Sequence, residues 1–188
     1  MAWRPFEDDE CYCGVPYRVV VGSLEPGREC ARGDPARWPG LTGDECTLLL
    51  AWLSLCDEGV EHIWTGVPCG LVPVLEGDGS DDARLRISES VYALRMDCVY
   101  CGPGGWGLIE IKRDAGYAAL GQVLTYAYYA GRMRSELADA RRMVVASAMA
   151  EWAKPVYAAY GVEWFVIEGS LESGVAAATL AGRSPVLS

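Results

Sequence analysis

Asp97, Glu110 and Lys112 are the residues whose types and spacing can do chemistry. The 188-residue chain has only two lysines. One of them, Lys112, follows Glu110 by two positions in the segment Gly107-Leu108-Ile109-Glu110-Ile111-Lys112-Arg113-Asp114. Leu108, Ile109 and Ile111 mark a strand with much of its surface covered, where two charges are costly unless they are paired or employed. Residues two apart on a strand project from one face, and a hairpin partner ending at Asp97 brings a second carboxylate towards them. Two carboxylates and an ammonium meeting at a sheet edge are what metal-assisted phosphodiester hydrolysis needs. The carboxylates are oxygen ligands for Mg2+ or Mn2+. The cation polarises the phosphate and activates water, and the lysine orients that water or neutralises charge developing in the transition state.

The elements that must position these groups are legible around them. Gly102-Pro103-Gly104-Gly105 can only be a turn, so Arg95–Tyr100 and Trp106–Lys112 form a hairpin. A longer strand-like pattern leads into it from Arg84. A helix is expected from about Tyr117 to Leu137, with Leu120, Val123, Leu124 and Ala127 facing inward. A strand at 141–148, a short helical segment and a strand at 162–169 follow. Upstream, Thr42 and Glu45 form a capping box that opens an apolar helix through about Cys56. Two short strands are expected near Glu61–Thr65 and Leu71–Leu75, with an acidic loop at 76–82. Residues 1–40 read as an N-terminal extension with one strand at Tyr17–Val21, 41–170 as the main domain, and 171–188 as a weakly patterned tail. The fold class is α/β, with a central mixed β-sheet flanked by helices.

The order Asp97, then Glu110-Ile111-Lys112, then Gln122 and Tyr126 on the next helix resembles the PD-(D/E)XK nuclease signature with the Gln-x-x-x-Tyr motif of its RecB-like branch. The segment 141–168 is also similar to the C-terminal part of NucS-type (EndoMS-type) endonuclease domains. The resemblance covers about residues 84–168. One departure is that Met96, not proline, precedes Asp97. The resemblance implies a restriction-endonuclease-like core and Mg2+- or Mn2+-dependent hydrolysis of DNA. It implies metal ligation by Asp97, Glu110 and the main-chain carbonyl of Ile111. It gives Lys112 the catalytic cation's role, with Gln122 and Tyr126 positioning the lysine, the water or the DNA backbone. It also implies a homodimer, for which the apolar surface of residues 126–131 is a candidate face. The alternative is a non-catalytic module that keeps the fold as a scaffold for a protein partner.

Several residues carry two readings. Glu45 is explained by its capping box, and is also a candidate further metal ligand, since RecB-like nucleases often add a carboxylate from this helix. Arg95 is either a phosphate contact or a solvated strand charge, and Arg113, Arg132 and Arg134 are candidate phosphate contacts. The eight cysteines read as buried thiols, disulfides or a zinc site. Cys11, Cys13, Cys98 and Cys101 are the four thiolates that could hold Zn2+ between the extension and the hairpin. The lone histidine, His62, reads as structural, and without a second histidine or a serine elbow a hydrolase triad has no support.

Charge and length bound the remaining classes. The net charge is −10, which argues against a general nucleic-acid coat. Residues 81–142, however, hold nine basic against eight acidic side chains, so the acidic excess lies outside the segment that carries the motif. The apolar runs are too short to span a bilayer. No basic-then-apolar leader opens the chain, so an intracellular protein is the expectation.

Overall fold

A computed structural model describes residues 17–21, 24, 38–56, 59–73, 94–168 and 177–179. A seven-stranded sheet runs through them in the order of the sequence. Strands β1 (Tyr17–Val21), β2 (His62–Pro73), β3 (Leu94–Gly102) and β4 (Gly105–Ala115) form an antiparallel meander. Strands β5 (Arg141–Met149) and β6 (Val162–Glu168) continue it parallel to β4, and β7 (Ala177–Thr179) closes it antiparallel to β6. This is a mixed sheet in an α/β fold.

Helix α1 (Gly43–Leu55) covers one face, and helices α2 (Tyr117–Met133) and α3 (Lys154–Ala159) cover the other. On the α1 face, Leu48, Leu49 and Trp52 meet Ile63, Cys98, Tyr100, Ile109, Ile111, Met143 and Val145. On the α2 face, Tyr126 and Ala130 meet Trp64, Met96, Val99 and Leu108, while Val123 and Tyr157 meet Val144 and Ala146. Burial on both sides explains why β4 has an unbroken covered run from Gly107 to Ile111, as a strand joined to a parallel neighbour must. Glu110 lies within that run. Among the described residues, no helix is long and apolar enough to cross a membrane.

The elements differ from the sequence reading in four places. The two short strands expected around Glu61–Thr65 and Leu71–Leu75 are one strand, β2. Two glycines with positive φ, Gly66 and Gly70, lie inside it and read from sequence as a break. Gly66 is required there, because a Cβ would lie 2.5 Å from the Pro39 carbonyl oxygen. The strand at 17–21, counted with the extension, is an edge strand of the sheet. The helix expected to reach Leu137 stops at Met133 and is followed by a 3-10 turn, Ser135–Leu137. A short strand, β7, stands in the segment read as an unpatterned tail. The strand pattern expected at Arg84–Ala93 and the acidic loop at 76–82 lie outside the described residues.

The hairpin that carries the candidate site is locked by a cross-strand pair. Tyr100 faces Gly107, and its ring also packs on Trp52 at 5.3 Å between centroids. A Cβ at position 107 would lie 2.1 Å from the Tyr100 ring. Gly107→Ala is therefore expected to lower stability by about 1–3 kcal/mol through overpacking, read as an earlier urea midpoint at unchanged slope. An unchanged midpoint would mean that the Tyr100 ring is not fixed over this glycine.

Candidate active site

Asp97 sits where pairing on both sides of β3 is interrupted. Between β2 and β3 the register passes from Thr65↔Cys98 to Val67↔Met96, with no ladder pair joining Gly66 and Asp97. Between β3 and β4 the pairing runs from Gly102↔Gly105 to Cys98↔Ile109 and stops. Beyond that point the Ile111 N–H has no β3 carbonyl to bond, and it donates to Asp97 Oδ2 at 2.8 Å instead. A side chain thus replaces the missing rung and satisfies a backbone donor that burial would otherwise penalise. The same bond fixes the Asp97 carboxylate beside β4.

Glu110 and Lys112 project from the α2 face of β4, as their spacing of two requires. Glu110 is 0 % exposed. The Lys112 ammonium ion-pairs with Glu110 Oε1 and lies 3.8 Å from Asp97 Oδ2. The lysine side chain is 31 % exposed and that of Asp97 14 %, so the site opens to solvent on their side. Glu110 Oε2 makes no hydrogen bond of ordinary geometry among the described residues, although the Tyr126 hydroxyl and the Asp97 carboxyl both lie close to the Glu110 carboxyl. A buried carboxylate oxygen without such a bond is a place for a cation or a proton.

The electrostatics follow from this crowding. Burial, then the neighbouring Asp97 charge, pushes the Glu110 carboxyl up to about 8, against the opposing pull of Lys112. Asp97 is also raised, by burial first, while the Ile111 N–H and Lys112 oppose the rise. Lys112 is held above the usual lysine range because its bonds and charges from Glu110 and Asp97 outweigh burial, its largest single influence. Without a metal, the pair of carboxyls holds a proton at neutral pH, as two like charges in one buried site must.

Helix α2 brings Gln122 and Tyr126 to the same face, one turn apart. Gln122 Nε2 donates to the Tyr126 hydroxyl at 3.4 Å. Tyr126 is buried, and its phenol is shifted upward by burial first and then by the charges of Glu110 and Asp97. The five residues of the motif are therefore neighbours in space. Glu45 heads α1 in the expected capping box: its Oε2 accepts from the Thr42 N–H at 2.7 Å and from the Thr42 hydroxyl at 2.9 Å. Its charge still acts on Asp97 and Lys112.

Each of the candidate phosphate contacts has a partner within the protein. Arg95 donates to the Gly66 carbonyl at 3.0 Å, and Arg113 lies 3.7 Å from Asp44. Arg134 pairs with Glu136 at 2.8 Å, and Arg132 lies over the Tyr128 ring, 5.4 Å from its centroid. Of the cysteines proposed for zinc, the two described ones lie on opposite faces of the sheet. Cys98 packs on the α1 face of the sheet and Cys101 against the α2 face, as a spacing of three on a strand dictates. Cys11 and Cys13 lie outside the described residues. Among the described residues, no group of three or more His, Cys, Asp or Glu side chains is placed to hold a metal ion.

Tyr157 was not singled out from the sequence. It is fully buried, and its hydroxyl donates to the carbonyl of Gly116 at 2.8 Å, at the N-cap of α2. Its phenol is pushed up to about 12, by burial first and then by the Glu110 charge. It therefore anchors the start of the helix that carries Gln122 and Tyr126. Its only sequence signal is Pro155 at the start of a short helix, which says nothing about the site.

No protein-family model matches the chain, and no curated protein matches it. Among solved structures it is similar to the crystal structure of a repair endonuclease from Pyrococcus abyssi, at 20% sequence identity and a TM-score of 0.36. The likeness covers 53% of this chain and 52% of that one, so the chain matches about half of that endonuclease's length.

The raised Glu110 value has a measurable sign. Its folded-state value, about 8, lies above the ordinary glutamate value of about 4.3. The metal-free folded protein therefore binds the extra proton between those values, and its stability falls as pH rises through that window. In a chelator, the melting temperature of the wild type is expected to drop between about pH 5 and pH 8.5. Glu110→Gln is expected to flatten that drop and to melt higher than wild type at the alkaline end. Equal slopes for the two proteins would refute the assignment.

Proposed function

We propose that the chain is a divalent-cation-dependent nuclease that hydrolyses DNA phosphodiester bonds at the centre formed by Asp97, Glu110 and Lys112. The observation that carries this reading is the convergence of two carboxylates and one ammonium, with a buried Glu110 oxygen that makes no hydrogen bond of ordinary geometry among the described residues. A structural ion-pair network would fill that oxygen's valence with a second donor. Here it is left for a ligand.

The residues fit a hard cation such as Mg2+ or Mn2+. The Asp97 and Glu110 carboxylates and the main-chain carbonyl of Ile111 would hold it, all oxygen donors as such ions prefer. Glu45 is a candidate for an outer contact, since its charge acts on Asp97 and Lys112 although Thr42 holds one of its oxygens. When bound, the cation supplies the positive charge that polarises a phosphate in such sites. The proton shared by the carboxyls leaves as the cation enters, so affinity rises with pH. Lys112 stands at the open side, where its ammonium neutralises charge building on the phosphate oxygens. Tyr126, oriented by Gln122, walls the site from the α2 side and keeps Glu110 from turning away.

A second reading is favoured by the arginines. Arg95, Arg113, Arg132 and Arg134 each have an intramolecular partner, and the chain carries a charge of −10. A non-catalytic scaffold that binds a protein partner fits that surface. Metal binding and cleavage separate the two. Calorimetry with Mn2+ is expected to show a site in the wild type that Asp97→Asn abolishes. Single-stranded, branched, mismatched and duplex DNA are then incubated with Mg2+ or Mn2+. Glu110→Gln and Lys112→Met are expected to cut at least about 10²-fold more slowly than wild type, the scale of losing one transition-state contact. A wild type that cuts none of these substrates faster than Glu110→Gln would leave the scaffold reading standing.

A further inference from the structure

The parallel strands β4 and β5 end side by side. Ala115 and Met149 are register partners, and the Ala150 N–H reaches the Ala115 carbonyl at 3.4 Å. Each strand is followed within three residues by a large exposed aromatic: Tyr117, 80 % exposed, opens α2, and Trp152, 61 % exposed, lies in the 3-10 turn before α3. The Tyr157 hydroxyl bond to Gly116 holds α3 against the start of α2, so the two aromatics share one rim of the sheet. Neither Tyr117 nor Trp152 contributes to the apolar core, and beside Trp152 Glu151 and Lys154 form an ion pair.

We propose that Tyr117 and Trp152 are specificity-determining residues that stack on unpaired nucleobases of a single strand leaving the Asp97–Glu110–Lys112 centre. The inference rests on the nuclease reading and deepens it. Lys112 precedes Ala115 by three residues, a distance of roughly 10 Å along a strand. That is within reach of the next few nucleotides of an unpaired strand whose phosphate is at the centre, so its bases pass over this rim. Among the described residues the charge pattern favours stacking as a source of affinity. The arginines named above are engaged within the protein, and Lys154 is paired with Glu151. A protein of net charge −10 gains little from counterion release, whereas base–aromatic stacking needs no net positive charge. An unpaired base offers both π-faces; a base inside a duplex offers neither.

The test is binding of a fluorescein-labelled oligothymidylate to the full chain in chelator, read by anisotropy, alongside a duplex of equal length. Tyr117→Ala and Trp152→Ala are each expected to weaken oligothymidylate binding by about 5- to 150-fold, the equivalent of ~1–3 kcal/mol per stacked base. Trp152→Phe is expected to retain most of the affinity. Binding is expected to change less than about 10-fold between 50 and 200 mM salt, where a protein with many phosphate contacts loses roughly 10³-fold or more. Both residues are exposed, so unchanged melting temperatures serve as the folding control. If the wild type cleaves DNA while both alanine variants bind like wild type, or while no oligothymidylate binding is measurable, the platform is wrong and the nuclease reading stands. If the wild type neither binds nor cleaves, both fall. If Trp152→Ala instead abolishes self-association in sedimentation, the rim is an interface between copies and the platform is overturned.

Discussion

A carboxylate at the middle of the most deeply covered strand is the constraint around which the sheet is arranged. Glu110 is removed from water on every side, and the desolvation of one ion costs several kcal/mol even after the protein relaxes. The Coulomb attraction of one partner at about 4 Å returns roughly 4 kcal/mol at an effective dielectric of 20. Lys112 therefore offsets the cost at best, and Asp97, 3.8 Å from the same ammonium, adds repulsion. Burial and the Asp97 charge win over the lysine, which is why the Glu110 carboxyl rises to about 8. The centre is an electrostatic deficit that the apolar layers on both faces of β4 must hold together. On the proposed reading, a cation held by the two carboxylates would offset their mutual repulsion.

The second constraint is the lost rung at Asp97. A regular ladder would spend the Ile111 N–H on β3 and leave the Asp97 side chain to follow the pleat. The pairing ends at Cys98↔Ile109, and the side chain takes over that donor. One bond thus removes a backbone penalty and aims a carboxylate. The β2 strand accommodates the same irregularity with Gly66, whose φ of +60° and close approach to Pro39 exclude a side chain. Arg95, beside the break, donates to the Gly66 carbonyl. Its role there is to close the gap between β2 and β3, which makes its sequence reading as a phosphate contact the weaker of the two.

Much of this was legible in the sequence because the elements near the centre have strong local signals. The turn at Pro103–Gly104, the capping box at Thr42 and Glu45, and the alternation around Glu110 each fix an element through its own residues. The spacing of Glu110 and Lys112, and of Gln122 and Tyr126, fixes a shared face in a strand and in a helix whatever the tertiary fold. What the sequence hid is non-local. Gly66 and Gly70 look like interruptions until a partner strand holds β2 extended through them. The 17–21 strand looks like part of an appendage until β2 offers it an edge. Tyr157 joins the site through Gly116, forty-one residues away, and no pattern in its own segment reports that bond. The partners of Arg95 and Arg113 were hidden for the same reason: Gly66 and Asp44 are remote from them in sequence.

Those engaged arginines determine how substrate and metal must depend on each other. On the proposed reading, an anionic backbone at this centre of a protein of net charge −10 would meet Lys112 and the cation that the carboxylates would hold. The carboxylates, both raised above their ordinary values, must release a proton before they hold that cation well. Each ligand therefore supplies what the other lacks: the phosphate adds negative oxygens to the cation's shell, and the cation removes the repulsion that the phosphate meets. Linkage makes this coupling reciprocal, so whatever factor the cation adds to DNA affinity, DNA adds to cation affinity. A basic nuclease can hold DNA first and wait for its metal. On the proposed reading, cation and DNA each strengthen the other's hold at this centre, and proton release is part of the same equilibrium.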